Sequence, residues 1–429
     1  MQYNFLSLPN NREEQESMEA KPIRFELSNG VRIIHSPAKG EILHCAIMIN
    51  AGTRDEEAEN SGIAHLIEHC IFKGTHTKSS LDILNSIDSV GGELNAYTTK
   101  EETCVYVSCG IDYLEKAIEL LCDITQNSLF PRKEVEKEKD VIADEIQSYL
   151  DAPAEQIMDD FEEMIFHNHP LGRNILGEEK RMRAVKGVEL KKFIQTHYRG
   201  RKIVFSSSGN IPVQTLKKLS EKYLGKFGGS DTADDRKPFL SYKAIHYKAA
   251  KDTHQAHCLI GNMAYASTHK HRTGFILLNN MLGGPAMNSR LNLGIREKHG
   301  YTYQLESNYI AYSDCGIFNI YFGTDPGNLD KTLALIYKEL NTLRKKKLSA
   351  VQLKSAKEQL CGQIALSQES RLSLVISFAK NILLFDHVDP LPDWLKKIQN
   401  VKAAQILEIA NEVFEEKNMS TLIFTKKKK

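Results

Sequence analysis

The feature that most constrains this chain is an internal repeat. A strand-like run, His44-Cys45-Ala46-Ile47-Met48-Ile49, returns as His257-Cys258-Leu259-Ile260-Gly261-Asn262, and the offset is 257 − 44 = 213 residues. Near the end of each half, a helix opening at Val185-Lys186 runs into the strand Lys202-Ile203-Val204-Phe205. Its counterpart opens at Val401-Lys402 and runs into Ser420-Thr421-Leu422-Ile423-Phe424, an offset of 401 − 185 = 216. Two landmarks at nearly one offset imply two domains of like fold, each close to half of the 429 residues. The boundaries expected are a tail over 1–22, a first domain over 23–226, a linker over 227–245 and a second domain over 246–429. The linker carries Gly228-Gly229-Ser230 and Pro238 in a polar stretch.

Within each half, short strands mix with long helices without the regular period of a doubly wound sheet. Asn29-Gly30, between Ile23–Leu27 and Val31–Ile34, predicts a hairpin. Helices are expected over 79–89, 113–128 and 131–149. Each half therefore reads as an α+β domain, a mixed or antiparallel sheet packed with helices. A charge of +1, from 56 basic and 55 acidic residues, makes no electrostatic case for nucleic acid. No apolar run approaches the roughly 20 residues needed to cross a bilayer. The acidic run Glu13-Glu14-Gln15-Glu16 fits neither a secretory signal nor a mitochondrial transit peptide. The eight cysteines form no Cys-x-x-Cys and sit largely in apolar runs. Buried free thiols in a cytoplasmic protein are expected. The terminal Lys426–Lys429 reads as a solvated tail.

One apolar helix carries three polar residues that packing does not explain: His65, Glu68 and His69. Histidines four apart stack on one helix face, where two imidazoles can meet one metal ion. Glu68, three after His65, can sit beside the water such an ion activates. This His-x-x-Glu-His order is an inverzincin motif. A third ligand is sought on the polar helix 131–149, where Glu134, Glu138 and Glu145 share a face. Glu145, between Ile142 and Ile146, reads as lying near the buried side, where a carboxylate wants a cation. Two neutral histidines, one carboxylate and a water make an open catalytic zinc site. The helix at the equivalent place in the second half, Gly274–Leu282, has neither histidine nor glutamate.

These residues resemble the inverzincin metallopeptidases of the pitrilysin family, which includes mitochondrial processing peptidase and insulin-degrading enzyme. The resemblance is to the short-chain bacterial and processing-peptidase branch and covers most of the chain after about residue 23. It is carried by Gly62-Ile63-Ala64-His65-Leu66-Ile67-Glu68-His69 with Phe72-Lys73-Gly74-Thr75, and by a glutamate 145 − 69 = 76 residues beyond His69. Gly91–Thr98 is similar to the family's active-site edge strand. Leu282-Gly283-Gly284 followed by Arg296 and Tyr303 is similar to its glycine-rich loop and Arg-x6-Tyr pair. Cys70 and Pro285-Ala286 depart from the pattern without touching a ligand position.

The resemblance implies a zinc endopeptidase with one Zn2+ per chain, held by His65, His69 and Glu145, with Glu68 as general base. It implies that Glu138 orients a ligand histidine and that Arg296 and Tyr303 bind and stabilise the reacting carbonyl. It implies that Asn95, Ala96 and Tyr97 line an extended peptide substrate. It further implies that the chain is one half-shell of a dimeric chamber, with Arg296 and Tyr303 reaching the zinc of the opposite subunit. A homodimer is expected. A heterodimer with a related inactive subunit, or a scaffold role without catalysis, is the alternative. Neither nucleic acid nor membrane is an expected partner.

Overall fold

A computed structural model of the chain describes residues 21–229 and 236–427. The first sheet has six strands: β1 (Ile23–Glu26), β2 (Arg32–Pro37), β3 (Ile42–Ile49), β4 (Glu93–Thr98), β5 (Thr103–Gly110) and β6 (Ile203–Gly209). Their order is β1-β2-β6-β3-β5-β4, with β2 and β6 parallel and the other pairs antiparallel. The β1–β2 hairpin turns through Ser28-Asn29-Gly30, and Gly30 takes a positive φ of 89° that the turn requires. Strand β4 ends the sheet and leaves one side of its main chain open.

The second sheet comprises β7 (His246–Lys251), β8 (Ala256–Ala264), β9 (Thr302–Ala311), β10 (Gly316–Thr324) and β11 (Ser420–Lys426). Its order is β7-β11-β8-β10-β9, again with one parallel pair, β7 with β11. This is the first sheet without β1, strand for strand: β2-β6-β3-β5-β4 maps onto β7-β11-β8-β10-β9. The repeat read from two landmarks thus extends through the whole topology, and both halves are α+β with a mixed sheet.

The helices that shape the functional side chains and the domain interface are α1 (Ile63–Cys70), α2 (Arg132–Leu150), α3 (Pro153–Ile165), α4 (Arg272–Gly283), α5 (Arg371–Phe385) and α6 (Ala403–Val413). Strand pleating divides the cores. In β3, Cys45, Ile47 and Ile49 face the core that holds α1, while Ala46 and Met48 face the other way. That second face is covered from outside the domain: Val375, Ala379 and Ile382 of α5 pack on Ile34, Ala46, Met48 and Val204. The reciprocal exchange occurs on the other sheet. Ile157, Phe161 and Ile165 of α3 pack on Leu259, Ile317, Leu422 and Phe424. Each domain lends a helix to its neighbour's sheet.

A buried ion cluster adds to the interface. Arg54 is almost wholly enclosed and pairs bidentately with Asp314 at 2.7 Å and with Glu101 at 2.7 Å. Glu101 also accepts from the backbone of Ser313 at 2.9 Å. The turn between β9 and β10 is thereby fastened to the loop after β3. Arg236 and Lys237, from the expected linker, join the same cluster through Asp55 and Arg54. The middle of the expected linker, 230–235, and most of the expected tail, 1–20, lie outside the described residues. Lys426, expected in a solvated tail, closes β11 by pairing with Lys251. All eight cysteines are free, and seven are buried, as their apolar settings imply. Among the described residues no helix is long and apolar enough to cross a membrane.

Candidate metal centre

Helix α1 begins after Gly62, whose φ of 91° turns the chain sharply into the helix. Its orphan N–H groups are met by Glu56, which folds back from the preceding loop. The buried Glu56 carboxylate accepts from Gly62 N at 3.0 Å and Ala64 N at 2.9 Å. Burial pushes this carboxyl up to about 8, against those two hydrogen bonds and the nearby Arg173 and Lys100. The apolar residues Ile63, Leu66, Ile67 and Cys70 lock one side of α1 into the first core. Cys70 therefore points away from the histidines and is no ligand candidate. The opposite side presents His65, Glu68 and His69.

Helix α2 supplies the facing carboxylates. Glu145 Oε2 lies 3.8 Å from His65 Nε2 and 3.7 Å from His69 Nε2. The three donor atoms are all within 4.8 Å of one another. Ligand atoms about 2.0–2.1 Å from a tetrahedral ion sit about 3.4 Å apart, so the two histidine–Glu145 distances need to close by only a few tenths of an ångström. Seven residues earlier on the same face, Glu138 Oε2 lies 3.2 Å from His69 Nδ1, and Lys73 Nζ binds its other oxygen at 2.7 Å. A carboxylate accepts only, so Nδ1 of His69 carries the proton and donates it. Its Nε2 faces the Glu145 carboxylate. In the neutral ring this sets one acceptor opposite another, the arrangement that a cation fills. Burial, reinforced by His69, pushes His65 down to about 4, so it is neutral at pH 7.

The structure reverses one expectation. Glu145 is not near the buried side: its side chain is 45% exposed, while Glu138 is the buried member of the pair. Helix α2 leaves the core as it proceeds, and Val141, four residues before Glu145, is itself half exposed. Burial thus gives no reason to single out Glu145, although the geometry brings it to both histidines. Glu68 is held beside Thr98 of β4. Burial raises its affinity for protons, opposed by Thr98 and His69 and reinforced by Glu145.

Along β4, alternation puts Leu94 and Ala96 against the core that holds α1, and Tyr97 against the helix-α5 face. Asn95 and Tyr97 therefore do not share Ala96's side of the sheet. Asn95 Oδ1 accepts from Ala96 N at 2.8 Å. Arg296 and Tyr303 meet each other in the second domain, the guanidinium 4.7 Å over the phenol ring, and Tyr303 is 78% exposed on edge strand β9. Among the described residues, the polar and ring contacts of these two stay in the second domain, and those of His65, Glu68, His69 and Glu145 stay in the first. One chain does not join the two sets. Motif spacing assigns no role to Glu56, Lys73 or Thr98. A glutamate six residues before a glycine-opened helix is the only trace the first of them leaves.

A family model described as "Insulinase (Peptidase family M16)" matches residues 32–179, and one described as "Peptidase M16 inactive domain" matches 187–360. The uncharacterized zinc protease YmxG of Bacillus subtilis is 33% identical over 403 residues, 93% of this chain and 97% of that protein. The chain belongs to peptidase family M16. Other relatives in the family include an uncharacterized zinc protease of Rickettsia felis, 30% identical over 93% of this chain and 96% of its own length. Solved M16-type structures share the fold. A protease from Helicobacter pylori superposes with a TM-score of 0.87 at 21% identity, over 94% of this chain and 99% of its own. A peptidase M16 inactive domain from Pseudomonas fluorescens gives 0.89 at 17% identity, over 95% of this chain and 99% of its own. The second family model begins at Gly187, yet β6 beyond it belongs to the first sheet.

Proposed function

We propose that the chain is a zinc-dependent endopeptidase acting on peptides or unfolded segments. The observation that carries this reading is the convergence of one donor atom each from His65, His69 and Glu145 within 4.8 Å, with Glu138 on the far ring nitrogen of His69. His65, His69 and Glu145 would hold one Zn2+, which when bound supplies a Lewis acid that polarises the scissile carbonyl and acidifies water. Glu68 takes the proton of the attacking water at its carboxylate and delivers it to the leaving amine. Burial raises its proton affinity, the direction that favours a carboxylate taking a proton from water. The open main chain of β4 beside Glu68 suits a substrate that adds as an extended strand, which favours flexible peptides over folded ones.

Arg296 and Tyr303 are suited to bind the reacting carbonyl, and their contacts within the second domain alone support sharing across a dimer. A homodimer would then carry two composite sites. The test is zinc content together with cleavage of a quenched peptide mixture. Glu68→Gln should keep its zinc and lose at least about 100-fold in rate. Equal cleavage by Glu68→Gln, or wild type without zinc, would sink the peptidase reading and leave a scaffold subunit. Mixing Glu68→Gln with Arg296→Ala chains should restore part of the activity. Failure to do so counts against a shared site.

A further inference from the structure

The second domain holds a cluster that the peptidase reading does not use. His271 stands at the start of α4, the helix that corresponds to α1 in the repeat. Glu408 and Glu412, one turn apart on α6, face it, and one donor atom from each of the three lies within 4.8 Å of the others. His271 is 7% exposed, and its Nδ1 is buried without a hydrogen-bond partner, 4.0 Å from Glu412 Oε2. That distance is too long for a hydrogen bond and leaves room for an ion between the atoms.

Charge placement on α6 points the same way. Glu408 and Glu412 are like charges at i and i+4, which repel. Glu412 lies in the last turn of the helix, where the backbone dipole disfavours anions and where no basic residue stands. A bound cation would offset both costs. The neighbouring side chains hold the buried His271 and the exposed Glu412 in place. Tyr265 donates its hydroxyl to Glu412 and orients that carboxylate. The Tyr265 ring stacks flat on His269 at 4.4 Å and meets His271 edge-on at 5.5 Å. His269 Nδ1 accepts the backbone N–H of His271 at 3.2 Å, which holds the loop's end in place. The adjacent cation, Arg272, lies over the rings of Phe385 and Trp394.

We propose that His271, Glu408 and Glu412 form a second site for a divalent first-row transition metal, of the zinc class, in the C-terminal domain. One imidazole and two carboxylates with room for water suit zinc and its neighbours better than calcium or magnesium. The ion would tie the β8–α4 loop to α6 and fasten the second-domain helix that mirrors α1. The exposed Glu408 and Glu412 side chains can close the remaining gap by rotation.

The test is zinc uptake by the full chain after removal of metal with a chelator, measured by equilibrium dialysis at low micromolar zinc. Wild type is expected to take up two equivalents, and both Glu408→Gln/Glu412→Gln and His69→Ala one each. Zinc should raise the melting temperature of His69→Ala, but not that of the triple variant His69→Ala/Glu408→Gln/Glu412→Gln. Uptake by Glu408→Gln/Glu412→Gln equal to wild type would overturn the proposal, as would equal zinc stabilisation of the single and triple variants. Failure of the first-domain site gives a different pattern: wild type and His69→Ala would take up one equivalent each and Glu408→Gln/Glu412→Gln none, which supports the second site by itself.

Discussion

Glu138 acts on His69 through a proton, and the effect is measurable. Without that carboxylate the imidazole is free to take either tautomer and to rotate. Glu138→Ala is expected to weaken zinc binding about 10–100-fold, read by competition with a chelator of known affinity. Unchanged affinity would mean that His69 is oriented by packing alone. A second residue-scale prediction concerns acid. His35 is fully buried on β2, bonded through Nδ1 to Ser207 at 2.9 Å, and burial pushes it down to about 4 from an ordinary 6.5. The unfolded chain takes up this proton below pH 6.5, and the folded chain refuses it until about pH 4. Stability is therefore present above pH 6.5 and lost as pH falls toward 4, by about 3 kcal/mol from this group. His35→Asn should flatten the difference between urea midpoints at pH 7 and pH 4.5. At this scale the sequence makes His65, Glu68 and His69 legible because helical spacing alone aligns them. Its burial argument for Glu145 fails, since burial along α2 depends on the angle at which that helix leaves the core, while the spacing from His69 leads to the same residue.

Helix α1 is short, and its start is where it is most vulnerable. Gly62 and Gly177 approach back to back. A Cβ on Gly177 would lie 2.5 Å from Gly62 Cα, and Gly177 itself has a φ of 75°. Gly177→Ala should therefore cost at least about 1–2 kcal/mol from the backbone conformation alone, before the collision is relieved. Because the displaced element is the start of α1, zinc affinity should fall along with the melting temperature. A drop in melting temperature with zinc affinity intact would show that the loop yields and the helix does not. The amphipathic pattern of α1 is readable directly. Its cap by Glu56 is not, because that contact needs the intervening loop to fold back on itself.

Across the whole molecule, the exchanged helices set the cooperativity. Residues 21–229 produced alone would leave Ile34, Ala46, Met48 and Val204 without the cover of α5, and would expose Phe161 of α3. Such a fragment is expected to bind ANS and aggregate, and coproduction with 236–429 should rescue it. A monodisperse, ANS-silent fragment would show that the halves fold independently. The same cut would remove Asp314 from the buried cluster and leave Arg54 with Glu101 as its remaining carboxylate.

What the sequence determined by itself was local or periodic. The two-domain repeat follows from matched strand and helix landmarks, the hairpin from Asn29-Gly30, and the histidine pair with its glutamate from the 3.6-residue turn. These need only chain geometry within a few residues, or likeness between distant stretches. Tertiary structure alone decided which sheet each helix covers, which carboxylate on α2 is buried, and that the guanidinium of Arg296 lies over the Tyr303 ring in the second domain. It also alone brought His271 to Glu408 and Glu412, which are remote from it in sequence. Such outcomes depend on packing angles between elements, and a sequence pattern carries the face of a helix but not the direction in which that face is turned.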